Sequence, residues 1–234
     1  MPDAASTLAR LVRDAVAAAG DPAKAPGMQA YMRSAMPFRG VQAGPLAAVC
    51  RSVFAAHPLP GRTAWEACVR ELWDGASYRE ERYAAIALTG HPRYRGFQDP
   101  RTLPLYEHLV VTGAWWDHVD TVASNRVGPL LGGHADAVTP VLRAWAVADD
   151  LWLRRTAVIA QLARKGDTDL ELLRYAVEAN LEGTPFGREF FVRKAIGWAL
   201  RQHARTDPVW VRAFVAEHED RLSGLSRREA LKHL

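Results

Sequence analysis

Cysteine is scarce: Cys50 and Cys68 are the only two in 234 residues, each inside a helical pattern with no CxxC and no Cys/His cluster beside it. That excludes a disulfide framework or a zinc ribbon and leaves buried thiols in a reducing compartment. Long apolar runs are missing too. No stretch approaches the roughly 20 residues of a membrane span, because Arg or Asp interrupts every candidate, so no membrane partner is expected. The opening MPDAASTLARLVRDAVAAAG carries Asp3 and Asp14 and lacks a basic start; it reads as an amphipathic helix rather than a signal peptide, and the cytoplasm is the expected location. There is no G-x-x-x-x-G-K, no G-x-G-x-x-G after a strand and no H-E-x-x-H, and the eight histidines do not cluster at metal-ligand spacing. The chemistry is therefore expected to need no cofactor and no metal.

Period-two alternation is absent as well, whereas almost every segment between breakers shows a 3.6-residue period. The predicted fold class is all-α. Helices are expected at about 3–19, 25–35, 44–56, 61–74, 78–90, 100–112, 114–125, 136–147, 150–164, 168–182, 188–205, 207–220 and 226–233. The last opens with Ser226 and Glu229, the S-x-x-E pattern of a capping box. Proline and glycine are spread along the chain rather than gathered in a linker, and 49% of residues are hydrophobic; one continuous domain over 1–234 is expected. The net charge of +4, supplied mostly by arginine, is compatible with a polyanion partner and equally with an Ala- and Arg-rich composition.

Three segments align on an R-x-A pattern, starting at Arg82, Arg155 and Arg193. The last two are 38 residues apart, and Arg82 precedes Arg155 by 73, close to twice that step. The midpoint of the longer interval falls near position 119. A two-helix repeat of this length is the size class of HEAT and armadillo units, whose helix pairs stack into an α-solenoid. In such a stack the equivalent second helices line one concave surface, so the helices bearing Asp120, Arg155 and Trp198 should face the same groove.

The most informative stretch is AWWDHVDTVASN, residues 114–125. Trp115, Val119 and Val122 recur at i, i+4 and i+7, the spacing of a core-facing stripe. Trp116 falls outside that stripe with Asp120 one turn on, placing an indole beside a carboxylate. Such a pair suits an electron-poor or cationic ligand. A wide apolar stripe that takes in both tryptophans, with an acid favoured near a helix start, would explain the same residues without a site. Arg155 sits in an apolar stripe formed by Leu151, Val158 and Leu162, and a buried guanidinium there needs a partner, for which Asp120 is the candidate; snorkelling to solvent is the alternative. Trp198 shares a core-like spacing with Phe191 and Ala195. Gly197 inside that helix implies that another element approaches its backbone.

The segments 31–42 (YMRSAMPFRGVQ), 67–83 (ACVRELWDGASYREERY), 115–120 (WWDHVD), 152–161 (WLRRTAVIAQ), 190–201 (FFVRKAIGWALR) and 225–233 (LSRREALKH) together resemble the AlkD-type DNA alkylation-repair glycosylases, a HEAT-like-repeat family, in the same order along nearly the whole chain. The resemblance implies a site of two tryptophans, an aspartate and an arginine, which fall on Trp116, Trp198, Asp120 and Arg155. It also implies DNA contacts by Gln42 and Tyr31 and a phosphate contact by Arg155. After Gln42 the family usually continues with Pro and two arginines, whereas this chain reads Ala-Gly-Pro-Leu-Ala-Ala.

The implied activity is a monomeric glycosylase acting on double-stranded DNA, hydrolysing the N-glycosidic bond of cationic alkylated purines such as 3-methyladenine or 7-methylguanine. A non-catalytic module that binds nucleic acid or protein through the same groove is the rival reading. The rival gives no reason for a carboxylate in an anion-binding groove.

Overall fold

The computed structural model describes residues 3–234 and places them in fourteen α-helices, with no strand among the described residues. The helices are α1 (Ala4–Ala18), α2 (Ala25–Met32), α3 (Ala43–Ala56), α4 (Arg62–Asp74), α5 (Arg79–Thr89), α6 (Leu103–Gly113), α7 (Trp116–Val122), α8 (Gly128–Gly133), α9 (Ala135–Ala146), α10 (Leu151–Ile159), α11 (Leu170–Glu178), α12 (Phe190–Ala204), α13 (Pro208–Glu217) and α14 (Gly224–Ala230). None is long and apolar enough to cross a membrane. The chain divides into two compact units, up to Phe97 and from Gln98 onward.

In the first unit α1 packs on α3 and α4, and α5 packs on α3 and α4. Their buried faces combine Leu8, Val12 and Val16 with Phe54, Trp65, Leu72, Trp73 and Leu88. Both cysteines lie inside this core, as the sequence predicts, and burial pushes each thiol up to about 12. The loop between α2 and α3 is pinned by Glu80. This fully buried carboxylate accepts hydrogen bonds from the backbone N–H groups of Arg39, Gly40 and Val41 at 2.9–3.0 Å.

In the second unit the helices form two rows. One row runs α7, α10, α12, α14, each packed on the next. The other contains α9, α11 and α13, which cover α10 and α12. The helices carrying Asp120, Arg155 and Trp198 are thus consecutive members of one row. Two adjacent arginines on α10 divide the work of holding these rows. Arg154 donates to the carbonyls of Ala148 (2.5 Å) and Val147 (2.9 Å) and to Asn180 Oδ1 (3.2 Å), tying α10 to the end of α9 and of α11. Arg155, about 100° further round the helix, points to α7.

Two local expectations need correction. The 114–125 segment starts later and runs further than expected. Ala114 is left-handed (φ 39°) and Trp115 extended, so α7 begins at Trp116. Beyond Val122 the chain continues through a π turn, Ala123–Val127, directly into α8. Pro129 explains the turn. In an unbroken α-helix it would lack an N–H for the Asn125 carbonyl and its ring would collide with it; widening the helix by one residue relieves both, and Arg126 Nη1 donates to that carbonyl at 2.8 Å. The capping box at Ser226 is also displaced. Ser223 is the N-cap of α14, its hydroxyl accepting from the Ser226 N–H at 3.0 Å. The Ser226 hydroxyl donates instead to the Arg193 carbonyl, and Glu229 is drawn away to Lys194 and Arg201.

Candidate active site

Asp120 and Arg155 are 35 residues apart in sequence and meet side by side. Arg155 Nε donates to Asp120 Oδ1 at 2.7 Å and Nη2 to Oδ2 at 2.8 Å, a fork-to-fork pair. Nη1 donates to the Phe191 carbonyl at 2.6 Å. One guanidinium thereby fixes α7 and the first turn of α12 to α10. Arg155 is only 5% exposed, so of the two readings left open by the sequence the paired one holds and the snorkelling one does not. Of the five N–H groups of a guanidinium, three are engaged.

An aromatic cluster adjoins the pair through Phe191. Trp115, Trp152 and Phe191, from the start of α7, α10 and α12, lie with ring centroids 5.0–6.2 Å apart. The Arg155 guanidinium carbon stands 6.0 Å from the Phe191 ring centre. Trp115 is half-buried, like Trp116 beside it, whereas Val119 and Val122 on its stripe are fully buried. Burial in these surroundings pushes the Asp120 carboxyl above its ordinary value of 3.8, and the Asp117 charge adds to that push; Arg155 pulls the other way and only offsets part of it. α10 itself starts cleanly because Asp150 accepts from the N–H groups of Trp152 and Leu153, both at 2.8 Å.

Trp116 lies one turn before Asp120 on α7 and is partly exposed. Trp198, also partly exposed, lies seven residues from Phe191 on α12, hence on nearly the same helical face. Gly197, next to it, lies under α14: a Cβ there would come within 2.6 Å of Glu229 Cβ. That is the close approach its place in a helix implied. Tyr31 and Gln42 belong to the first unit. Tyr31 is 75% exposed on α2, and Gln42 is the exposed residue preceding α3, where its side chain makes no capping bond.

Trp115, Trp152 and the Phe191 carbonyl were not singled out as site residues by sequence. Trp152 carried a usable signal, an aromatic three residues before Arg155 at a helix start. The carbonyl carried none, since any residue has one.

The stacked all-helical fold is one that the comparisons place within a known class. The family model described as DNA alkylation repair enzyme matches residues 12–234, so the chain belongs to that family, which gives it a role in the repair of alkylated DNA with DNA as its partner. Among solved structures it is similar to a "Predicted DNA alkylation repair enzyme from Enterococcus faecalis", at 29% identity over 92% of this chain and 96% of that chain, with a TM-score of 0.81. No curated protein matches the chain.

Proposed function

We propose that this protein is a DNA glycosylase that hydrolyses the N-glycosidic bond of cationic N-alkylated purines, 3-methyladenine or 7-methylguanine, in duplex DNA, leaving an abasic site for base excision repair. The observation that carries the reading is the Asp120 carboxylate, held in a fixed orientation by Arg155 one helical turn from the partly exposed Trp116.

The chemistry follows from the substrate's charge. A purine alkylated on a ring nitrogen is already cationic and departs with the bond's electron pair as a neutral base, so no strong general acid is needed. Positive charge then develops on the deoxyribose. Asp120 stabilises that charge and orients a water, whose oxygen bonds to C1′ while its proton passes to the carboxylate and on to solvent. A carboxyl pushed upward by burial is better suited to take that proton than an ordinary one. Trp116 and Trp198 offer negative ring faces to the cationic sugar and base. A single carboxylate suffices, unlike the paired acids of sugar-chain glycosidases.

Arg155 acts first by fixing Asp120; its remaining N–H groups are available to a phosphate flanking the lesion. Gln42 and Tyr31 contact the DNA from the first unit. The two-row stacking of the second unit supports a HEAT-like reading of that unit; action as a monomer without metal or cofactor is part of the proposal. The test is release of the alkylated base from methylated duplex DNA by the purified protein in the presence of a chelator. Release with formation of abasic sites is expected, and DNA binding without release would favour a non-catalytic module.

A further inference from the structure

Asp120 and Gly128 are eight residues apart on one continuous helical rod, 116–133, and both face α10: Asp120 at Arg155, Gly128 at the Ala160 carbonyl that ends α10. In an uninterrupted α-helix a separation of eight residues turns about 800°, leaving the two positions about 80° out of phase. A separation of seven turns about 700°, within about 20° of two full turns. The π turn at 123–127 holds one residue more than an α turn, so it restores the seven-residue phase to residues eight apart. At Gly128 the rod then comes so near α10 that a Cβ would stand 2.3 Å from the Ala160 oxygen. No side chain fits there without moving the rod.

We propose that Gly128, brought into phase by the π turn, is a positioning residue for the catalytic carboxylate: its bare backbone lets the helix seat against the end of α10 so that Asp120 meets Arg155 in bidentate register. The inference rests on the glycosylase reading for its consequence in catalysis, but its geometry does not. Gly128→Ala must open a gap of about 1 Å to reach ordinary contact distance, and that displacement at one end of the rod stretches or tilts the 2.7 and 2.8 Å contacts two turns away. With Arg155 loosened, its downward pull on Asp120 weakens while the burial remains, so the carboxyl moves further up.

The experiment compares wild type, Gly128→Ala and Gly132→Ala, and follows single-turnover release of 7-methylguanine, DNA affinity, and the titration of the Asp120 carboxyl by its ¹³C resonance. Gly132 is the control on the same helix, because a Cβ there meets only the mobile end of the Arg164 side chain. Gly128→Ala is expected to lower the release rate at least about tenfold with DNA affinity within about threefold, and to raise the Asp120 titration midpoint; Gly132→Ala is expected to leave all three unchanged. A folded Gly128→Ala protein with wild-type rate and titration overturns the proposal. If Gly128→Ala does not fold, deletion of Asn125 combined with Pro129→Ala decides. The deletion puts Asp120 and Gly128 seven apart in an ordinary α-helix, in phase, and the alanine removes the proline that an ordinary α-helix would not tolerate there, so folding and the Asp120 titration are expected to survive, and loss of either overturns the proposal. Failure of wild type itself to release base would count against the glycosylase reading, while the ¹³C titration still judges the positioning role.

Discussion

Replacing Asp120 by Asn removes the charge and little else. The amide oxygen still accepts from Arg155 Nε, but the amide nitrogen then faces Nη2, donor against donor, where the carboxylate accepted at 2.8 Å. Leaving one buried donor unsatisfied costs about 1–3 kcal/mol, a fall in Tm of a few degrees for a chain of this size, so the fold should survive. The kinetic loss is set by the missing interaction with the developing sugar cation. Two unit charges about 4 Å apart at an effective dielectric of about 20 attract by roughly 4 kcal/mol. Arg155, bonded to both oxygens, cancels part of that. The expected loss therefore lies between about 1.4 and 4 kcal/mol of barrier, or about tenfold to a thousandfold in rate. The assay is single-turnover release of 7-methylguanine from methylated duplex DNA with protein in excess, alongside binding to undamaged duplex, which should hold or tighten as a negative charge leaves. A folded Asp120→Asn protein that releases base at the wild-type rate refutes the reasoning.

Four other outcomes are expected. Arg155→Ala strands the Asp120 carboxylate and the Phe191 carbonyl together; breaking a buried pair costs about 3–5 kcal/mol, visible as a lower Tm, and a reduced salt slope of DNA binding would reveal a phosphate contact as well. Because the active form of Asp120 is deprotonated and its carboxyl lies above 3.8, the release rate should fall as pH drops through that raised value, and in Arg155→Ala the acid limb should move to higher pH; a limb at or below the ordinary carboxylate range contradicts this. Trp116→Ala should slow release by the worth of one cation–π contact, about 0.5–2 kcal/mol, with Trp116→Phe losing less. Cys50 and Cys68, buried and pushed up to about 12, should resist a thiol reagent at pH 8 until the protein is unfolded.

The helices were legible because each apolar stripe is a local pattern, and the errors fall where local signals compete. Gly128-Pro129 reads as a helix end, since proline ordinarily breaks the ladder at that distance; only the extra residue of the π turn lets the rod continue, and nothing in the spacing announces it. Ser226 and Glu229 match a capping box, but Ser223 offers an equivalent hydroxyl three residues earlier, and the arginine and lysine of α12 outbid the helix start for Glu229. Within the site, a guanidinium in an apolar stripe marks Arg155 as needing a partner and makes Asp120 the candidate, but the stripe alone leaves snorkelling to solvent equally open; only the stacking of α7 on α10 decides it. The trio of Trp115, Trp152 and Phe191 was not legible, because three helices from distant parts of the chain must stack before those rings meet. Tyr31 and Gln42 came from resemblance alone, since an exposed tyrosine and a glutamine before a helix carry no pattern of their own.

The most direct test is to incubate the purified wild-type protein with duplex DNA carrying 7-methylguanine, chelator present, and to quantify free base and abasic sites together. Equal amounts of both, rising with time, are what a hydrolytic glycosylase built on Asp120 must give. Tight binding with neither product would contradict it.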